Sequence, residues 1–423
     1  GQIGLPGGGF ATGYGSMGNY GGGSTPGGLP RLPQGRNPVD SLIPVARVAD
    51  MLLHPGEPFD FDGRRLRYPD VRLVYWAGGN PFHHHQDLNR LRRALGRAET
   101  VVVHEPFWTP MAKHADIVVP VTTPLERTDI GAASSDRHIV PMHPITAPYG
   151  EARDDFEVFA DLARVLGVEE EFTEGRTARE WLVHLYTGWA DTTRRKLGID
   201  LPDAEEFFAG DVIALPAQPA DRAFLAAFRA DPDGRPLRTP SGRIELYSER
   251  IAGFGDADCP GHPTWIEPEE WLGSPLAQRY PLHLIAHQPR GQLHSQLDFG
   301  PQSARTKVAG RAAITLHPQD AAVRGISDGD VVRVFNDRGA CLAGARISDG
   351  VRRGVVVLPT GAWYDPLPDG TCANGNPNVL TRDRGTSSLG QGCTGQHALV
   401  EVERYPGTPP PVRAYGPPEF TSR

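Results

Sequence analysis

Three adjacent imidazoles, His83, His84 and His85, follow a glycine pair and Asn80-Pro81 in the segment Trp76 to Arg90. Consecutive histidines invite a metal reading, but neighbours on an extended chain point in different directions. No cysteine or carboxylate stands at ligand spacing from them, so no metal ligand is assigned. Hydrogen bonding to a nucleotide suits the segment better, because the backbone at Gly78 and the side chains of Asn80 and His84 can approach a phosphate or ribose. Glu105 stands just beyond a second apolar run, where an acidic residue accepts hydrogen bonds from ribose hydroxyls; a solvated strand-end carboxylate is the alternative. Asp129 and Asp155 suit another need, since a carboxylate can accept two hydrogen bonds from the N1 and amino edge of guanine.

Two later segments are dense in donors and acceptors. His287 to Gln296 contains Gln288, Arg290, His294, Ser295 and Gln296, and Asn374 to Gly392 contains Asn378 and Gln391 among Asn, Thr, Ser and Gln. The first packs donors and acceptors densely, with a solvated loop as the alternative, and the second, poor in charge, suits neutral hydrogen-bond recognition of a buried heterocycle. No nucleophile-elbow sequence occurs and no Ser-His-Asp set stands out, so no catalytic residue is assigned.

The elements that must position these residues change character along the chain. Residues 1 to 37 hold 14 glycines. The run Gly13 to Gly18 fits G-x-G-x-x-G, yet no strand precedes it and no helix signal follows; backbone passing close to a bulky ligand or a neighbouring domain is the better reading. From Val71 the pattern is β-α-β-α-β. Strands are expected at 71–76, 100–104 and 116–121, with helices at 86–95 and near 109–114, which describes a doubly wound parallel sheet. Ligands of such sheets sit at the carboxyl ends of the strands, here Gly78 to His85, Glu105 to Thr109 and Thr122 to Asp129.

A helix from Asp154 to Leu166 carries Phe156, Phe159, Leu162, Ala163 and Leu166 at helical spacing and is expected to face a core. Residues 191–275, rich in Pro, Asp and Gly, read as a connecting segment with one hairpin at Thr239 to Tyr247. From Tyr280 the pattern is β-rich, with a hairpin over 330–347, a strand over 354–358 and a brief helix at His317 to Ala322; strands at this spacing suggest a small closed barrel. The division expected is a Gly-rich remnant (1–40), an α/β dinucleotide-binding domain (41–190), the connection (191–275) and a β-barrel (276–423).

Composition sets the outer bounds. The 423 residues carry 43 basic and 51 acidic side chains, a net charge of −8, which argues against nucleic acid as the principal partner. No apolar run is long enough for a transmembrane helix. The four cysteines, Cys259, Cys341, Cys372 and Cys393, form no C-x2-C pair and read as ordinary thiols.

Taken together, GQIGLPGGGF, GGNPFHHHQDLNR, HEPFWTPMAKHADIVVPVTTPLER, QPRGQLHSQL, HPQDAAVRGISDGDVVRVFNDRG, GAWYDP and GNPNVLTRDRGTS, in this order, resemble the molybdopterin oxidoreductases of the dimethyl sulfoxide reductase family. The likeness is to the S- and N-oxide reductase branch and to its C-terminal half. The resemblance implies a double-psi type of barrel and a bis(molybdopterin guanine dinucleotide) molybdenum cofactor. It implies dinucleotide contacts at His84, Glu105, Thr122 and Asp155, pterin-side contacts at Gln288, His294, Ser295, Gln296, Asn378 and Gln391, and Trp363 and Tyr364 stiffening the barrel. A small S-oxide or N-oxide substrate and an electron donor protein or small reductant follow from it, with periplasm favoured over cytoplasm as the compartment. Two alternatives stay open, a non-catalytic cofactor-binding fragment and another branch such as formate or aldehyde oxidation. The family's Glu-Arg-Asn-Asp is here Glu126-Arg127-Thr128-Asp129, and its serine metal ligand is expected in an earlier half outside this chain.

Overall fold

The structure, a computed structural model, describes residues 27–133, 136–217, 225–394 and 397–418. The glycine run at Gly13 to Gly18 lies outside the described residues. Packing gathers the chain into two compact units, Gly1–Pro38 with Pro120–Leu246, and Val39–Val119 with Tyr247–Arg423. The division expected from the sequence follows chain order, whereas these units interleave. The reason is a shared core: Leu88, Leu91 and Val103 of the early segment cluster with Val332, Val356 and Val400 of the late one. Periodicity reports which face of an element is apolar, not which distant element covers it.

In the early part of this unit, α1 (Val48–Leu53) precedes a hairpin of β1 (Pro58–Phe61) and β2 (Arg64–Arg67), then β3 (Leu73–Ala77), α2 (Pro81–His84), α3 (Leu88–Leu95), β4 (Thr100–Glu105) and β5 (Ile117–Pro120). Strands β3 and β4 pair in parallel with Ala77 opposite His104, and the sheet order is β3-β4-β5. That order runs one way; the reversal that defines double winding is not found among the described strands. Helix α3 forms because Asp87 caps it, accepting from the Arg90 N–H at 3.0 Å, and because Leu88, Leu91 and Leu95 fall on one buried face. The expected helix at 109–114 is a turn that closes into one 3-10 turn, Ala112–His114.

The other unit contains the antiparallel strands β6 (Asp129–Ala132), β7 (His138–Met142) and β8 (Ile213–Ala214), with α4 (Asp155–Leu166), α5 (Glu169–Thr173), α6 (Ala178–Leu197) and α7 (Ala204–Ala209). Helix α6 starts at a Thr177/Glu180 capping box and ends at Gly198, while Asp203 and Glu206 form a second box at α7. Tyr186 and Phe207 stack at 4.2 Å inside a core with Ile139, Trp189 and Leu215. Residues 191–215 are therefore structural core rather than connection, a correction to the sequence expectation; two capping boxes were the overlooked signal. The stripe on α4 is also corrected. Only Ala163 is buried there, while Leu162 and Leu166 are 39% and 67% exposed. The expected hairpin at 239–247 is a turn through Gly242, with no strand among its residues and Leu246 84% exposed.

The late part closes into a six-stranded barrel of β9 (Leu282–Ile285), β10 (Ala313–Leu316), β11 (Val331–Asn336), β12 (Gly339–Ile347), β13 (Val355–Val357) and β14 (His397–Arg404), in the order β10-β12-β11-β14-β9-β13. Pairs β10/β12 and β13/β9 are parallel and the others antiparallel. Alternation fills the interior: Leu282, Leu284, Ile314, Leu316, Val332, Val334, Val356, Ala398 and Val400 are buried. The hairpin over 330–347 and the helix after His317, which caps it with Pro318 in its first turn, lie where the sequence puts them.

Candidate functional site

The loop leaving β3 turns at Gly78, whose φ of 88° is the left-handed conformation that favours glycine. Asn80 then caps α2, its side-chain oxygen accepting from the Phe82 N–H at 3.2 Å. Its amide nitrogen reaches Ser295 Oγ at 3.5 Å, and His83 Nε2 faces His294 Nδ1 at 3.3 Å. The structure thus brings Asn80 and His83 together with Ser295 and His294. His83 and His85 are buried and His84 is exposed, yet the His83 and His84 rings meet edge to face at 5.0 Å and both lie within 6 Å of the His294 ring, at 5.3 and 5.8 Å. Burial drives the His83 and His85 imidazoles down to about 4, with nearby His84 adding to the effect. Both rings are neutral at neutral pH and offer one donor and one acceptor each. Among the described residues, no group of three or more His, Cys, Asp or Glu is arranged to hold a metal ion.

The late polar segment acts mostly by bracing this loop. Asn378 Nδ2 donates to the His83 carbonyl at 2.8 Å and its oxygen accepts from the Thr381 hydroxyl at 2.9 Å. Asn376 donates to the Phe82 and Ala362 carbonyls at 3.2 and 2.8 Å. Gln391 and Gln288 likewise use their amides on main-chain oxygens, of Asp60 and Gln292. Arg90 of α3 bridges Asp50 of α1 and Asp383 of the late segment, so charge also clamps the two stretches. Trp363 is buried with its indole nitrogen on the Ser295 carbonyl at 2.7 Å, and Tyr364 reaches Asn89 at 2.9 Å.

What faces outward is a mixed surface. His84, Gln288, Arg290, His294 and Gln296 are exposed, interleaved with Leu293 and Leu297 at 60% and 56% exposure. Neutral donors and acceptors and one guanidinium beside apolar side chains suit a flat polar heterocycle. Glu105 ends β4 beside the β3 loop, and burial pushes its carboxyl up to about 7 while a hydrogen bond from Thr109 pulls the other way.

Thr122, Asp129 and Asp155 belong to the other unit. Thr122 is buried with its hydroxyl on Asp154 at 2.6 Å, and Arg127 donates to its carbonyl at 2.9 Å. A cavity of about 480 Å³ is lined by Thr122, Arg127, Thr128, Arg153, Asp154 and Arg179 among others. Asp129 receives the Ile130 N–H at 2.8 Å, and Arg127 lies 3.4 Å away. Asp154, not Asp155, holds the cap position of α4.

Several residues escaped the sequence reading: Gln292, Asp298, Lys307, Asn374, Asn376 and Tyr415. Gln292 and the two asparagines lie in segments already singled out by their composition, but Asp298, Lys307 and Tyr415 carry no local signal.

Against this geometry, comparison with known proteins is decisive. The family model for molybdopterin oxidoreductase matches residues 10–165, and that for the molybdopterin dinucleotide binding domain matches 282–399, the barrel and its loops. The chain belongs to the molybdopterin oxidoreductases. Among such proteins it is 50% identical to biotin sulfoxide reductase of Cereibacter sphaeroides, covering 96% of this chain and 54% of that protein. It is 45% identical to dimethyl sulfoxide/trimethylamine N-oxide reductase of Rhodobacter capsulatus, covering 96% of this chain and 51% of that one. With trimethylamine-N-oxide reductase of Haemophilus influenzae the identity is 41%, over 99% of this chain and 53% of that one. The chain spans about half the length of these curated relatives. A solved acetylene hydratase from Pelobacter acetylenicus shares the fold at a TM-score of 0.60 and 20% identity, over 80% of this chain and 45% of that one.

Proposed function

We propose that this chain is the dinucleotide-holding part of a molybdenum enzyme that reduces S-oxides or N-oxides by oxygen-atom transfer. The observation that carries the reading is the pair of mutually braced polar loops, 78–85 and 287–297, on a chain matching a molybdopterin dinucleotide binding domain. The similarity to proteins named as sulfoxide and N-oxide reductases supports the substrate class.

The residues present fit bis(molybdopterin guanine dinucleotide). On this reading the barrel is of the double-psi type and the β3-β4-β5 sheet is a nucleotide-binding sheet. Arg290, His294 and Gln296 would meet the pterin side directly, and His84 would contact the dinucleotide, with Gly78 giving close backbone approach. Asn80, Gln288, Ser295, Asn378 and Gln391 would hold the loops in shape. Glu105 would accept from a ribose, and Thr122, Asp129 and Asp155 would serve a guanosine. When bound, the group supplies the two-electron oxygen-transfer chemistry. This chain's own contribution is to orient it, to keep His83 and His85 neutral beside it, and to exclude water with Leu293, Leu297 and the buried Trp363. Electrons would come from a donor protein or small reductant, and the periplasm is the compartment proposed.

The test is turnover. Native enzyme loaded with molybdenum and supplied with a reduced viologen dye should oxidise the dye on addition of dimethyl sulfoxide, trimethylamine N-oxide or biotin sulfoxide. Inertness towards every S- and N-oxide, with formate or an aldehyde consumed instead, would move the protein to another branch.

A further inference from the structure

Asp298 ends the 287–297 loop and is only 2% exposed. One carboxylate oxygen accepts from the Trp363 N–H at 3.0 Å, the Asn374 amide at 3.0 Å and the Tyr415 hydroxyl at 2.7 Å. The other meets the Lys307 ammonium at 2.9 Å and the Gln292 amide at 3.5 Å. Lys307, itself 9% exposed, also donates to the Tyr415 hydroxyl and lies 4.7 Å from the centre of its ring. Donors from four separate stretches of chain therefore converge on one buried carboxylate.

The backbone this hub holds is strained. His294 and Leu297 both have φ of 50°, a conformation that side chains with a Cβ disfavour. The loop is pressed on its neighbour as well: Gln292 donates to the Gly361 carbonyl at 3.0 Å, and a Cβ at Gly361 would lie 2.4 Å from the His294 carbonyl oxygen. A buried ion pair is by itself weak support for stability, since apolar side chains of similar volume often replace one without loss. It is strong support for geometry, because any other group at 298 leaves several donors unpaired.

We propose that Asp298, neutralised by Lys307, is a positioning residue that fixes the strained 292–297 loop so that His294 and Gln296 face the molybdopterin dinucleotide. The inference rests on the reading of that loop as cofactor-side. Burial and the Asp298 carboxylate both push the Tyr415 hydroxyl up, so it stays protonated and keeps donating to the hub.

Asp298→Asn preserves shape but turns an amide against a ring of donors. In the native enzyme it should speed hydrogen exchange at the loop amides Gln296 and Gly300 at least tenfold, while Val332 and Val334 of the barrel keep their rates. Guanine nucleotide released by acid per protein should fall at least twofold. Lys307→Met and Tyr415→Phe each remove one donor and should give the same pattern at smaller size, which keeps the test available if Asp298→Asn does not fold. Barrel amides accelerating by the same factor as the loop would mean a merely structural role and overturn the proposal, as would a loosened loop with undiminished nucleotide. Wild-type enzyme devoid of guanine nucleotide would instead refute the proposed function, and the ratio of loop to barrel exchange would then alone decide whether Asp298 holds the loop.

Discussion

At the scale of single residues, Glu105 is the group whose ionisation the fold opposes most directly. Its carboxyl is pushed up to about 7 by burial, against an ordinary value near ~4.3 in an unfolded chain. The folded state therefore holds the proton more tightly. Below about pH 3.5 both states are protonated and nothing is lost; as pH rises from there through 7, on the order of 2 kcal/mol of stability goes. Glu105→Gln keeps an acceptor for Thr109 and cannot ionise. The variant should match wild type in urea at about pH 3.5 and exceed it by on the order of 2 kcal/mol at about pH 8; equal stability at both would mean a solvated carboxylate. The histidines run the other way. His83, His85 and His114 are held near 4 by burial, so the stability they contribute is complete above about 6.5 and lost as pH falls through 4.

At the scale of elements, the contact between the 292–297 loop and the chain at Gly361 leaves no room for a side chain. Gly361→Ala meets a φ of 111° and a carbonyl at 2.4 Å, a cost of about 1–3 kcal/mol, whereas Gly329→Ala meets a φ of 86° but open space. Only the first should shift Trp363 fluorescence, and equal spectra would remove the clash from the account. Such contacts are what the sequence conceals. The strands and α3 were legible because apolar period and flanking Gly, Asn and Asp are local signals. The turn at Asn80 and the bracing role of the asparagine run were half legible, since composition marked them but not their partners. The α4 stripe misled because helical spacing names a face without naming a cover. Asp298 was illegible because Trp363, Asn374 and Tyr415 lie far along the chain from it and nothing local pairs it with Lys307.

At the scale of the molecule, each compact unit carries its own core. Phe207, 1% exposed and stacked on Tyr186, anchors the smaller one. Phe207→Ala should cost about 3–5 kcal/mol, with loss of exchange protection centred on residues 139–215; protection unchanged there would show that the stack is dispensable. The larger unit has a different peculiarity. Strand β14 pairs with both β11 and β9, and its Val400 shares a core with Leu88, Leu91 and Val103. During synthesis those early apolar side chains leave the ribosome about three hundred residues ahead of the strand that completes their cover, a non-local pairing of the kind that slows folding. Until then the nascent chain presents an open, sticky half-core, and the 78–85 and 287–297 loops of that unit can take their final shape only after elongation has passed residue 404.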